Sequence, residues 1–395
     1  MTPQTTRVWL WLHKWSSLIC TVFMLLLCLT GLPLIFHHEL GHWLGTEMQA
    51  PPLPAGVAAR AVTLDEAVAV AQRVHPDRVA QYASPEEDSD DLWRVTMAPT
   101  PAPTDDFRLV VVDARTGDYL GTPPLHSGFL WIMFKLHVDL FAGLAGKLFL
   151  GLMGVLLLVS LISGTVLYAP FMRKLAFGTV RRGSDRPVSR QEDDRARKQR
   201  AAQRRLKWLD LHNLLGIVLL AWLFVVGGTG VINTWADLLV KYWQHDQLSA
   251  YLAPYKGQPT VPPGERAPIH QALHAAQEAV PDTRLYFMAF PGTAFASPHH
   301  YVFFMRGNTP LTAHLPRPVL VDARTAQVTA APRLPWYLTA LLMSRPLHFG
   351  DYGGWPMQIL WALLDVLSII VLGSGLYLWL KKGNKTAKAG SVQRR

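Results

Sequence analysis

Four apolar runs set the plan of the chain: Ser16–Phe36, Leu148–Met172, Leu214–Trp235 and Trp355–Leu380. Each is long enough to cross a bilayer, which takes about 20 residues at 1.5 Å rise. The first three hold no Asp, Glu, Lys or Arg, and the fourth holds one, Asp365. Between them the pattern changes. Thr63–Val74 and Pro268–Ala279 are Ala-rich with helical spacing, whereas Leu285–Phe290 and Tyr301–Met305 read as aromatic strands. Val-Asp-Ala-Arg-Thr occurs twice, at Val112–Thr116 and Val321–Thr325, at an offset of 209 residues. An internal repeat is therefore expected, with each Asp-Ala-Arg-Thr at a turn.

These elements predict a mainly α membrane protein, a four-helix transmembrane bundle of two pseudo-symmetric halves, each carrying a small α+β domain of helix on antiparallel sheet. The expected segments are a first span at 8–36, a small domain at 45–125, and a second span with an outer extension at 135–172. A basic linker at 173–207 leads to a third span at 208–235 and a second small domain at 236–335. The fourth span at 346–380 ends in a basic tail at 381–395.

Charge sets the expected orientation. The chain has a formal charge of +10, and the 173–207 linker alone holds 13 Lys/Arg against 4 Asp/Glu. Six more basic residues follow Leu380, and Arg7 and Lys14 flank the first span. Basic segments stay on the cytoplasmic side, so both termini are expected there and both small domains in the periplasm of a bacterial inner membrane. The linker is poor in aromatic residues and reads as a topology signal against anionic lipid, with no nucleic-acid partner. The first span exceeds a signal-peptide core and lacks a nearby A-x-A site. The two cysteines, Cys20 and Cys28, both lie inside it and read as small apolar residues.

Each span is associated with a Leu-His pair, at His13, His137, His212 and His348, and each has a Ser/Thr-Gly pair toward its far end. From His13 to Gly31 and from His212 to Gly230 the interval is 18 residues; from His137 to Gly164 and from His348 to Gly375 it is 27. A twofold axis along the membrane normal would set His13 against His212 on the inner side and His137 against His348 on the outer side. Three readings compete: interfacial histidines bonded to neighbours or headgroups, a non-haem metal site, and two b-type haems with paired imidazole ligands. No Cys, Asp or Glu stands at ligand spacing beside all four, which weakens the second. The matched intervals favour haem, with the glycines leaving room for a flat macrocycle.

At this point the chain resembles the PepSY-associated transmembrane family. The likeness rests on the order span–domain–span–span–domain–span, the VDARTG turn, and the segments LHVDLFAGLAGK (Leu136–Lys147) and LHFGDYGGWP (Leu347–Pro356). It implies PepSY-like outer domains, haem carried by His13, His137, His212 and His348, and kinship with inner-membrane reductases that release iron from siderophores. Asp365 departs from that family's pattern, which leads one to expect a small or apolar residue there.

Other residues stay open. Asp365, mid-span, is either a proton route or a protonated carboxyl bonded to a nearby Ser, Thr or Asn. His37, His38 and His42 form either a second metal site or a solvated cluster. Trp222 and Trp361 suit positions lining a haem or lying between two. The chain has no C-x-x-C-H, phosphate loop, dinucleotide fingerprint or nucleophile elbow. Electrons would come from a quinol or a separate cytoplasmic reductase. The expectation is a diheme reductase of a ferric siderophore or other Fe(III) chelate; the alternative is a non-enzymatic scaffold whose outer domains bind a peptide or protein partner. A permease is disfavoured by the single mid-span charge and the lack of a broken helix.

Overall fold

The computed structural model describes the chain except residues 1, 54, 57, 87–89, 173–175, 182–193, 310–311 and 393–395. Much of the basic linker lies outside the described residues. The described chain is mostly helical and divides into two compact units. Unit 1 comprises Met1–Phe36, Ile132–Trp235 and Ser344–Arg395; unit 2 comprises His37–Trp131 and Ala236–Met343.

The helices lying in unit 1 are α1 (Pro3–Ile35), α5 (Gly143–Met172), α6 (Asp194–Val218), α7 (Leu220–Thr234) and α12 (Gly354–Val392), and α4 (Gly128–Val138) and α11 (Trp336–Phe349) begin in unit 2 and end in unit 1. Three stretches are long and apolar enough to cross a membrane: Pro3–Ile35, Gly143–Tyr168 and Asp351–Lys381. A fourth is formed if Lys198–Val218 and Leu220–Thr234 count as one bent span. This is a multi-pass membrane protein. Thr2 starts α1, its hydroxyl accepting from the Thr5 amide at 3.2 Å, with Pro3 at the first helical position. The last turn of α1 gains a side-chain donor from α12, where Gln358 Nε2 reaches the Ile35 carbonyl at 3.3 Å.

Span three is bent, and the helical lead-ins expected ahead of spans two and four are cut from them. Span three bends by 66° at Leu219. Its two pieces pack on different neighbours, α6 on α12 and α7 on α5. One of the two grounds against a permease, the lack of a broken helix, therefore does not stand. Span two is cut at Asp139–Ala142, where Leu140 and Phe141 take positive φ of 53° and 60°. Side chains of this bulk avoid that region. Asp139 holds the turn, pairing with Lys135 and accepting the Phe141 amide at 2.9 Å. Span four is cut after His348 at Gly350, with φ 73° and a Cβ position only 2.6 Å from the Trp361 ring, so glycine is required.

Unit 2 holds α2 (His37–Trp43), α3 (Leu64–Val74), α8 (Ala236–Trp243), α9 (Ser249–Leu252) and α10 (Ile269–Ala279). It also holds eight strands: β1 (Val79–Pro85), β2 (Leu92–Ala98), β3 (Arg108–Asp113), β4 (Tyr119–Gly121), β5 (Thr283–Ala289), β6 (His300–Gly307), β7 (Arg317–Asp322) and β8 (Val328–Ala330). The two small sheets expected are one. The strand order is β4-β3-β2-β1-β5-β6-β7-β8, all neighbours antiparallel, joined by Tyr82↔Ala289 and Ala83↔Met288. Each sheet alone would expose an open edge at β1 or β5; pairing those edges satisfies both.

Thr63 and Glu66 form a reciprocal capping box at the start of α3, which turns Leu64, Ala67, Val70 and Ala71 into the core. α10 does the same with Ile269, Ala272 and Ala276. On β6, Tyr301, Phe303 and Met305 join that core, while Val302 and Phe304 face a second one with Trp243, Leu320 and Leu341. Burial on both faces explains why Tyr301–Met305 is a continuous apolar run. Each Asp-Ala-Arg-Thr lies at a turn, between β3 and β4 and between β7 and β8.

Candidate redox-centre ligands

Each of the four histidines rests on a different helix in the same way. His13 Nδ1 lies 2.9 Å from the Ser160 carbonyl and 3.3 Å from the Ser163 hydroxyl of α5. His137 Nδ1 lies 3.1 Å from both the Leu27 carbonyl and the Thr30 hydroxyl of α1. His212 meets the Val371 carbonyl at 3.1 Å and Ser374 at 3.0 Å on α12. His348 meets the Val226 carbonyl at 3.0 Å and Thr229 at 3.3 Å on α7. The imidazole always sits on a carbonyl, the hydroxyl three residues on, and the glycine after it.

That seat decides the tautomer. A carbonyl only accepts, so Nδ1 carries the proton and donates it. The hydroxyls are already committed to their own helices, Thr30 to Leu26, Ser163 to Val159, Thr229 to Val225 and Ser374 to Val371, at 2.6–2.8 Å. Nε2 is left as an unprotonated ligand nitrogen. An imidazole whose other nitrogen donates to a fixed acceptor is the usual oriented metal ligand.

The glycines serve the rings. A Cβ on Gly164 would stand 3.0 Å from His13 Cε1, and on Gly31 3.2 Å from His137 Cε1. On Gly230 it would stand 3.1 Å from His348 Cε1, and on Gly375 3.3 Å from His212 Cε1. The expectation that these glycines leave room for a macrocycle is corrected: they admit the imidazole itself.

The seats also wire the spans together. α1 and the α4–α5 segment exchange imidazoles, and so do α6–α7 and α11–α12. The rings then meet across these two halves of unit 1. His13 and His212 have ring centres 6.5 Å apart at 67°, and His137 and His348 have theirs 6.2 Å apart at 60°. Two imidazoles on opposite sides of one metal, each bonded at about 2 Å, stand with ring centres about 6 Å apart. The donor set therefore fits a centre taking two protein ligands and the rest from a macrocycle, as six-coordinate haem does. Among the described residues, no group of three or more His, Cys, Asp or Glu is arranged to hold a metal ion.

Nearby, Asp210 is fully buried two residues before His212 and accepts the Arg181 amide at 2.9 Å and its guanidinium at 2.7 Å. Asp365 lies beside the Cys28 thiol of α1, a neighbour the sequence did not suggest. Trp222 and Trp361 meet edge to face, with centres 6.3 Å apart.

In unit 2, His38 Nδ1 and His42 Nε2 converge on the Glu47 carboxylate at 3.0 and 3.6 Å, and the His37 ring lies 4.0 Å from that of His38. Of the three histidines offered as either a second metal site or a solvated cluster, two gather on an acid that sequence reading passed over. Burial works to raise the Glu47 carboxyl, but the His38 hydrogen bond and the charges of His38, His42 and Arg94 hold it below the ordinary carboxylate range.

The family model of the PepSY-associated TM region matches residues 10–382, and the chain belongs to that family. An uncharacterized protein of Pseudomonas aeruginosa is 25% identical over 268 residues, covering 64% of this chain. The chain spans 63% of that relative's own length.

Proposed function

We propose that this chain is a diheme inner-membrane reductase that passes electrons across the bilayer to a ferric chelate of the siderophore type at the periplasmic face. The observation that carries the reading is the two imidazole pairs, each ring tied at Nδ1 and set about 6 Å from its counterpart. A b-type haem so held supplies a one-electron Fe(III)/Fe(II) couple. His13 and His212 would hold one at the inner side, and His137 and His348 one at the outer side. Along α1, His13 and the Gly31 seat of His137 are 18 residues apart, about 27 Å of helix, close to the hydrocarbon thickness. The pairs therefore suit opposite faces of the membrane. The repeated seats, and a strand order that reads the same from either end, support two pseudo-symmetric halves with PepSY-like outer domains.

The chain's own part is to bind and orient. The seats hold each histidine neutral and aimed, and the apolar spans keep water away. An electron donor, quinol or a separate cytoplasmic reductase, meets the inner side. Fe(II) binds oxygen-donor chelators more weakly because its charge is lower, so one electron releases the iron.

The test uses purified full-length protein. A pyridine haemochrome assay is expected to give close to two haems per chain. Dithionite-reduced protein is expected to reoxidise faster when an Fe(III)-siderophore is added anaerobically, with Fe(II) trapped by ferrozine. His348→Ala abolishes that transfer and leaves the inner haem. Absence of haem after expression with ample haem supply would sink the reading. Reoxidation indifferent to every ferric chelate tried, with the outer domains retaining a protein partner, would replace it with the scaffold.

A further inference from the structure

One group inside the bundle has no part in holding the histidines. Asp365 is 8% exposed, in a helix read as a span. Its carboxyl lies beside the Cys28 thiol, yet Oδ2 has no hydrogen-bonding partner among the described residues. One turn earlier on α12, Trp361 is also 8% exposed, and its indole Nε1 has no partner either. The same is true of Nε1 on Trp222, which packs against Trp361 and lies three residues past the break at Leu219. One acceptor and two donors, all buried and unmatched, come from two adjacent helices, with a thiol from a third. Buried polar atoms are rarely left this way, and an ionisable group inside a span carries function by default. A purely structural carboxyl explains the Cys28 contact and leaves the other three atoms without a reason.

The cluster's position gives one. Asp365 precedes Val371, the seat of His212, by six residues, about 9 Å of helix. Its partner Cys28 adjoins Leu27, whose carbonyl seats His137. The group therefore stands between the two imidazole pairs and near a seat of each. No other carboxylate or cation competes there. α1 has none from Lys14 to its end, where the other titratable group is Cys20; α7 has none; α5 has none from Lys147 to Tyr168. The nearest on α6 are Asp210 and His212, on α12 Lys381, and in the turn before α12 Asp351.

We propose that Asp365, with Cys28, Trp361 and Trp222 around it, is a proton-binding site coupled to electron entry into the bundle. It rests on the diheme reading. An added electron in a low-dielectric interior is costly without a compensating charge. Asp365 would supply it: the carboxylate would take one proton from water onto Oδ2 when the donor's electron enters the bundle. The carboxylic acid gives that proton back when the electron leaves to the ferric chelate. The Cys28 S–H is the donor beside the ionised form.

The experiment is spectroelectrochemical titration of full-length protein between about pH 5 and 9. In the wild type, the midpoint potential of at least one haem is expected to fall as pH rises. Its slope is at most 59 mV per unit, which is tenfold in the reduction equilibrium. Asp365→Asn, close to isosteric, flattens that slope, and Asp365→Glu keeps it. A reduced-minus-oxidised infrared spectrum shows a carboxylic C=O band that moves on aspartate labelling. Equal slopes in wild type and Asp365→Asn overturn the proposal alone; a preparation without haem overturns the diheme reading and this with it. Should Asp365→Asn lose haem, the wild-type infrared spectrum decides, and absence of a labelled carboxylic band overturns the site.

Discussion

Substituting the seat glycines tests the ligand geometry most directly. At Gly164 an added Cβ would stand 3.0 Å from His13 Cε1 and 3.3 Å from Nδ1; at Gly375 the nearest approach to His212 is 3.3 Å. A comfortable contact between carbons is about 3.5–4.0 Å, so Gly164→Ala pushes the His13 ring by roughly half an ångström. A metal bond of about 2 Å does not stretch that far. Overpacking of this kind costs about 1–3 kcal/mol, or roughly 5- to 150-fold in haem retention at 1.4 kcal/mol per tenfold. Gly164→Leu removes the seat altogether. The assay is haem stoichiometry with optical spectra, read against wild type near two. Gly164→Leu is expected near one, with the haem of His137 and His348 kept. The alanine series is expected to weaken retention in the order Gly164, Gly230, Gly31, Gly375. Alanine favours helix over glycine by about 1 kcal/mol, so a loss cannot be blamed on a weakened helix. Two haems in Gly164→Leu, or equal loss of both, would refute the assignment of this glycine to His13.

The hydroxyl seats make a paired prediction: Thr229→Val shifts the potential and spectrum of the outer haem alone, Ser374→Ala those of the inner haem alone, and Thr229→Ser restores the first; one variant moving both haems contradicts it. For topology, Gln199→Cys and Ser249→Cys, in a chain lacking Cys20 and Cys28, are expected to label oppositely with an impermeant reagent on intact spheroplasts, and equal labelling defeats the proposed orientation. Asp65 accepts the amides of Ile269 at 2.6 Å and His270 at 2.8 Å, capping α10 from α3. Asp65→Ala is expected to destabilise unit 2 by about 1–2 kcal/mol, seen as a lower midpoint in its thermal unfolding; an unchanged midpoint discounts the cap. Asp113 is held below the ordinary carboxylate range, first by its hydrogen bond with Arg115 and against the pull of burial. A depressed carboxyl stabilises the fold above its unfolded value of about 3.9 and loses that as pH falls through the lower folded value. Thermal stability of the wild type is therefore expected to drop below about pH 4, and Asp113→Asn to drop less; superimposable pH profiles count against it.

Hydropathy alone determined that the chain crosses a membrane, because lipid demands about 20 apolar residues and leaves little to tertiary choice. It located three helices long and apolar enough to span and a bent pair that would make a fourth, and matched intervals singled out the four histidines and their Ser/Thr-Gly pairs. Alternating aromatic runs and the repeated Asp-Ala-Arg-Thr marked antiparallel strands and their turns. The tertiary structure decided what periodicity does not encode. Joining β1 to β5 depends on two edges finding each other across the 207 residues from Tyr82 to Ala289, so one sheet replaced two. The bend at Leu219 goes with α6 and α7 packing on different helices, and no Pro in that span announces it. Which glycine receives which imidazole is equally a matter of helix neighbours: Gly31 and His13 share a helix, yet Gly31 serves His137 and His13 rests by Gly164. Asp365 was visible as a lone charge in an apolar run, but its thiol partner lies 337 residues away on α1. Short-range sequence pattern sets which faces are apolar; only packing sets which polar atoms meet inside them.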